Sequence, residues 1–515
     1  MQANQVFEWY KPLRNHLRKV CLADSLSVIW AYTQNLQLGT AISSDIDVHG
    51  DFLKARKRTE KIGMVSEWEL ETLCRELILN AQEANTCPKT FRAWSYFAGA
   101  VNKLKSLESC IYKNLVGKAS ILAELHRIAH RQFPWQAGRP TDIFITRYFK
   151  VYSHPAFADI LYRKLDLTTQ ELFYIGFAFF SVYLGHFSLS YPPKIEIPGI
   201  TIEAMDKFLK HFSLDVTSLR QRLAAEQEMN EKFAYAFSSL RAYPLIRMTY
   251  QERDNVVCPL PTLFFWRLTN GVYYELYKEE GFAEAFGEAF QRYVGEVIGK
   301  ALAGSEPAVY SEMEYHVGKN RKNTIDWIVA DNEAALFIES KTKRLIVSAK
   351  IAIETEGALD GELTKMADFI LQAYKTINDY RENHYPHYQF KKEVAVYPLI
   401  VTLEDWYVFG TKILGLIHEK VVREFEKEGF PLAWLDEMPY SISSVQEFEM
   451  LVQIIKEVGI NKFMERKLRD KEKSEWSFYP FIRNEFPNES RSIQFLFTDE
   501  YEKIFPIEIR NQLPG

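Results

Sequence analysis

Cysteine is scarce in this chain of 515 residues: five occur, Cys21, Cys74, Cys87, Cys110 and Cys258, scattered and with no Cys-x-x-Cys pair. That spacing argues against a zinc cluster or a disulfide framework, and for a reducing cytoplasm. Long apolar runs are missing too. The most apolar stretch, residues 172–184, falls short of the roughly 18 residues that suggest a membrane span. It reads as a buried helix, with Thr168 and Glu171 at capping-box spacing before it. The first twenty residues lack the apolar core of a signal peptide. Neither sign of charge dominates: a formal net charge of −5 does not mark a bulk electrostatic binder of nucleic acid, so phosphate affinity must come from local patches. There is no Walker A, zinc-ribbon or helicase signature, no strong repeat of fixed period, and no segment with the composition of disorder.

What is present is a long chain with 47% hydrophobic residues, enough to bury large cores in two or more domains. Up to about residue 270 the pattern is almost wholly helical. In residues 66–81, Leu70, Leu73, Cys74, Leu77, Ile78 and Ala81 form one stripe at helical spacing. His126 and His130 share a helix face but have no third ligand in view, so a polar face is the better reading. Residues 202–223 suggest two short helices joined at Ser213-Leu214-Asp215, faintly like a helix-turn-helix with Arg220 and Arg222 on the second. After 270–280 helices mix with strands. The expected organisation is an α+β multidomain protein, with a large all-α domain over 1–275 and an α/β domain over 276–515.

The most informative segment is residues 324–341, TIDWIVADNEAALFIESK. Two apolar strands flank a tight turn, and Asp326, Glu339 and Lys341 interrupt runs where charge should be rare. With Asp331-Asn332 as a two-residue turn, Ala330 pairs with Glu333 and Asp326 lies opposite Phe337. Asp326, Phe337, Glu339 and Lys341 then share one face, while Ile325, Trp327, Val329, Leu336 and Ile338 share the other. Asp326 and Glu339 become diagonal neighbours, a gap that one hard divalent cation can span. A lysine two residues beyond the glutamate can hold an attacking water or offset phosphate charge.

These residues resemble the core of the PD-(D/E)XK, or restriction-endonuclease-like, nuclease superfamily. The resemblance covers about residues 282–410, with a helix at 286–298, the hairpin, a helix at 365–380 and a strand at 393–403. Ile325 stands where the motif's proline would be, and Gln291 where some relatives carry the helix acid, leaving Glu288 or Glu296 for that role, with Glu288 preferred. The resemblance implies a central mixed sheet flanked by helices and a Mg²⁺ or Mn²⁺ ion held by Asp326, Glu339, the Ser340 carbonyl and Glu288. It also implies Lys341 as a catalytic residue beside Asp326 and Glu339.

Lys319, Arg321 and Lys322 before the first strand, and Lys343 and Arg344 after Lys341, cluster where a phosphodiester must come. Gln372 and Tyr374 fall on the following helix, with Gln372 a candidate for the same cleft. The expected activity is metal-dependent hydrolysis of phosphodiester bonds. DNA is the superfamily's usual target, and tRNA or other RNA is the alternative. The rival from another class is a non-catalytic nucleic-acid- or protein-binding protein on a nuclease scaffold. A helical half fused to a stand-alone nuclease resembles bacterial anti-phage effectors, and residues 1–275 are expected to supply substrate selection, a trigger or a partner surface; with no apolar run of spanning length, no association with membranes is expected.

Overall fold

The computed structural model describes residues 3–38, 46, 48, 65–83, 87–115, 121–136, 141–345, 350, 357–407 and 411–505. The chain is α+β. It divides into two compact units, Met1–Phe282 with Asp499–Gly515, and Ala283–Thr498.

Helices dominate the first unit, and each buries the stripe its sequence carries. Glu67–Asn80 sends Leu70, Leu73, Cys74, Leu77 and Ile78 into the core. At its start the Ser66 N–H donates to Glu69 Oε2 at 2.9 Å, filling part of the capping box. Thr169–Gly185 begins the same way, with Thr168 Oγ1 accepting from the Glu171 N–H at 3.1 Å. Its Phe173, Ile175, Phe177 and Phe179 are buried, as the apolar run implied. No helix among the described residues is long and apolar enough to cross a membrane.

An all-α first domain is corrected by a four-stranded sheet, order β1-β4-β3-β2, from Ser188–Ser190 (β1), Ser213–Asp215 (β2), Leu245–Tyr250 (β3) and Arg253–Val257 (β4). The β3–β4 hairpin turns on Gln251 and Glu252 at φ 50° and 61°. Positive φ at both central positions is the demand of a type I′ turn, usually met by Asn or Gly, so this sequence hides it. The Ser213–Asp215 joint pairs in parallel with Leu245–Arg247, so it is a strand rather than the turn of a helix-turn-helix. Arg220 there donates to the Ile78 and Ala81 carbonyls and pairs with Glu83, an assignment to structure rather than to phosphates.

The second unit is built on a mixed five-stranded sheet, order β11-β10-β9-β8-β5. Its strands are Ala308–Ser311 (β5), Trp327–Ala330 (β8), Ala334–Lys341 (β9), Ala395–Thr402 (β10) and Ser441–Ser444 (β11). A separate hairpin, Glu314–Val317 (β6) with Asn320–Asn323 (β7), intervenes before β8. β5, β8 and β9 are antiparallel neighbours, whereas β9, β10 and β11 run parallel. Helix α1 (Phe282–Ala301) covers one face: the Trp327 indole N–H donates to the Gln291 carbonyl at 3.0 Å. Helix α2 (Gly357–Arg381) covers the other, where Ile328, Ala335, Phe337 and Ile400 pack in one cluster with Met366, Ile370 and Ile377. Covered on both faces, β9 and β10 read as nearly continuous apolar runs. The register pairs Thr402 with both Lys341 and Ser444, so Lys341 sits at the carboxyl edge of the parallel strands, where ligands of open α/β sheets bind.

Candidate active site

The β8–β9 hairpin sets the site. Ala330 pairs with Ala335 and Trp327 with Ile338, so the two-residue turn is Asn332-Glu333, one residue later than the sequence suggested. Asp331 causes the displacement. Its Oδ1 accepts the Glu333 and Ala334 N–H groups at 2.9 and 2.8 Å, which makes it the residue that closes the turn. Moving a turn by one residue shifts the pairing by two, and side chains alternate with period two, so the faces survive. Continued one step beyond Trp327–Ile338, that register would set Asp326 against Glu339 instead of Phe337, although Asp326 itself lies in a bend before the strand. Ile325 precedes the strand and joins the cluster of Phe337, away from the Trp327 face expected for it.

Asp326 is half-buried, and its Oδ2 accepts the Ser340 N–H at 2.6 Å. Glu339 is only 4% exposed. Lys341 reaches back along its own strand, donating to Glu339 Oε1 at 2.6 Å and to Gln372 Oε1 of α2 at 3.1 Å. Its ammonium also lies 5.1 Å from the Phe369 ring centroid. Burial pushes the Asp326 carboxyl well above the usual range; the Glu339 charge adds to this, while the Ser340 N–H and Lys341 oppose it. Glu339 is raised for the same first reason, with Lys341 countering. Two neighbouring carboxyl groups are thus held back from ionising, and a hard cation between them would favour the charged form of both.

The donor chemistry suits Mg²⁺ or Mn²⁺, which takes one or two protein carboxylates and completes its shell with water and phosphate oxygens. No group of three or more His, Cys, Asp or Glu able to hold a metal is gathered among the described residues. Asp326 is turned to the Ser340 N–H and Glu339 to Lys341.

The helix acid is resolved less simply than the sequence suggested. Glu288 is exposed on α1 and makes no hydrogen bond to Asp326 or Glu339; Glu296 accepts from Arg292 Nε at 3.0 Å. Both line an open cleft of about 570 Å³ with Gln291, Ser311, Glu312 and Trp327. Sequence reasoning missed Glu312. Its N–H donates to the Asp326 carbonyl at 2.8 Å, and its carboxylate raises both Asp326 and Glu339. Reading β5 as the antiparallel partner of β8 would have found it, since Ser311 opposes Trp327 and the next residue lies beside Asp326.

Of the basic residues expected to meet phosphate, Lys319 is exposed on the β6–β7 turn. Arg321 pairs with Glu314, and Lys322 donates to Asp379 Oδ2 at 2.6 Å. Lys343 lies 3.6 Å from Glu362. Arg344 is corrected outright as a surface contact: it is 2% exposed and its Nη1 lies 3.0 Å from Glu404 Oε1. Gln372 belongs to the site as the acceptor for Lys341. Compared with family models, with curated proteins and with solved structures, the chain matches none.

Proposed function

We propose that this protein is a metal-dependent nuclease of the restriction-endonuclease-like kind. What supports the reading is the Asp326 carboxylate bonded to the Ser340 N–H, beside Glu339 and the Lys341 ammonium bonded to Glu339. A mixed sheet with α1 against one face and α2 against the other supports the same fold.

Asp326 and Glu339 would hold Mg²⁺ or Mn²⁺. The bound ion would supply Lewis-acid polarisation of a phosphate oxygen and a water of lowered pKa. The Ser340 N–H fixes the Asp326 carboxylate, so that acid meets its partner in one orientation. Gln372 holds Lys341 at the carboxyl edge of the sheet, where the ammonium can orient a water or stabilise charge on a pentacovalent phosphate. DNA is the substrate expected of such a fold, RNA the alternative, and defence against phage the setting that the fused helical unit suggests by analogy.

The test is incubation of the pure protein with plasmid, single-stranded DNA and total tRNA, each with Mg²⁺, Mn²⁺ or EDTA. Cleavage that needs the metal and disappears in Glu339→Gln is the expected result. Tight nucleic-acid binding with no cleavage under any metal would instead favour a binding protein on a nuclease scaffold.

A further inference from the structure

Resting on the nuclease reading, we infer that Tyr385, in the connection between α2 and β10, is the positioning residue of Asp326: its hydroxyl fixes the bend that sets the first acid beside the second.

Asp326 lies in that bend, and Thr324 and Ile325 before it belong to neither β7 nor β8, so the ladder that aligns Trp327–Ala330 with β9 stops short of the acid. Its place rests on separate bonds. The Thr324 N–H donates to the Met313 carbonyl at 2.9 Å, and the Glu312 N–H to the Asp326 carbonyl at 2.8 Å. The Ser340 N–H holds the carboxylate. The Ile325 N–H donates to the Tyr385 hydroxyl at 3.1 Å, and this bond reaches the bend from chain beyond β9. A proline before Asp326 would fix its own φ and carry no N–H. Isoleucine does neither, and Ile325 is 1% exposed, so its buried N–H needs a protein partner.

Tyr385 suits the task because its ring is itself fixed. The residue is buried, with its ring centroid 5.5 Å from that of Tyr315, 5.7 Å from Tyr380 and 6.4 Å from Phe337. Phe337 stands two residues before Glu339 on β9, so the same ring ties the bend to the strand of the second acid. Tyr380 offers an internal comparison. It belongs to the same aromatic cluster, and its hydroxyl also accepts a backbone N–H, that of Lys391 at 3.3 Å, in the approach to β10.

The experiment titrates the full-length protein with Mn²⁺, followed by calorimetry and by the electron paramagnetic resonance signal of free Mn²⁺, beside urea unfolding of each variant. Tyr385→Phe and Tyr380→Phe each delete one hydroxyl that accepts a backbone N–H, so both should unfold at lower urea. Only Tyr385→Phe should weaken Mn²⁺ binding, by about tenfold, the scale of loss when a residue that orients a metal ligand is removed. Tyr380→Phe should bind as wild type. Sucrose, which favours the compact state, keeps a destabilised variant folded during titration. The rise in unfolding midpoint caused by Mn²⁺ gives a second measure of affinity, and it should be smaller in Tyr385→Phe alone. Wild-type affinity in Tyr385→Phe, with loss in Glu339→Gln, overturns this inference and leaves the nuclease reading standing. Equal losses in the two tyrosine variants overturn it too, because general loosening of the cluster would then account for them. Unchanged affinity in Glu339→Gln would defeat the underlying reading.

Discussion

At the scale of single residues, Lys341 competes with any cation for Glu339, because its ammonium already occupies Oε1 at 2.6 Å. Lys341→Ala should therefore lower turnover by about 10²–10⁴-fold, the usual contribution of a positioned proton-handling group. Mn²⁺ affinity should be no weaker than in the wild type. Measuring kcat alongside Mn²⁺ binding separates the two effects, and wild-type turnover would remove the lysine from the chemistry. Gly295 carries a different kind of constraint. A Cβ there would lie 2.1 Å from Trp327 Cζ2, inside the indole that braces α1 against β8. Gly295→Ala should cost about 1–3 kcal/mol in urea unfolding, as overpacking does. An unchanged urea midpoint would mean that the helix and the hairpin separate freely.

At the scale of elements, the hairpin shows how a buried strand tolerates charge. β9 is covered on both faces, and its glutamate and lysine answer each other across two positions at its exposed end. Asp331 also accepts the Ile460 N–H at 3.1 Å through Oδ2, linking the turn to the start of helix α3 (Ile460–Leu468). Lys467, near the other end of α3, is 3% exposed and donates to the Lys473 and Ser474 carbonyls at 2.6 and 2.8 Å. Burial brings its ammonium down to about 8, with Glu447 opposing. Below that pH the lysine is charged in both states and the full desolvation cost is present. From there up to its ordinary value of about 10.5 the unfolded chain keeps a proton that the folded protein has released, so stability rises with pH. The contribution rises by up to about 1.4 kcal/mol per unit. Urea midpoints of the wild type against Lys467→Met across this window should diverge in the wild type's favour. A constant difference would show that the lysine titrates normally.

At the scale of the whole molecule, the chain's division assigns the proposed chemistry to one unit, Ala283–Thr498. Residues 283–498 expressed alone should unfold cooperatively and retain metal-dependent cleavage, with target choice relaxed, because none of the proposed site residues lies in the first unit. A folded but inert fragment, beside an active full-length chain, would show that the first unit completes the site. The first unit carries buried charge of its own, such as Glu76, which accepts from Tyr10 and Arg75 at 2.6 and 2.9 Å. Such pairs are structural, and removing one partner strands the other without solvent.

The helices were legible wherever an apolar stripe met a cap, as at Ser66 and Thr168, because both signals are local. Period-two alternation kept Trp327 on one face with Ile338, and Ile328 with Phe337, even with the turn assigned one residue early, since that slip preserves parity, but it failed at Ile325, before the strand. Other features depended on contacts distant in sequence. The small sheet of the first unit hung on positive φ at Gln251 and Glu252, which those residue types do not advertise. Arg344 reads as a phosphate ligand until Glu404 pairs with it. Glu312 reads as an ordinary surface acid until β5 pairs with β8 and Gln291 turns toward it. Candidate residue types and the strand faces they occupy can be read from the chain alone, because periodicity and capping are local. Which charges meet cannot, because ion pairing and burial follow from long-range strand register and packing.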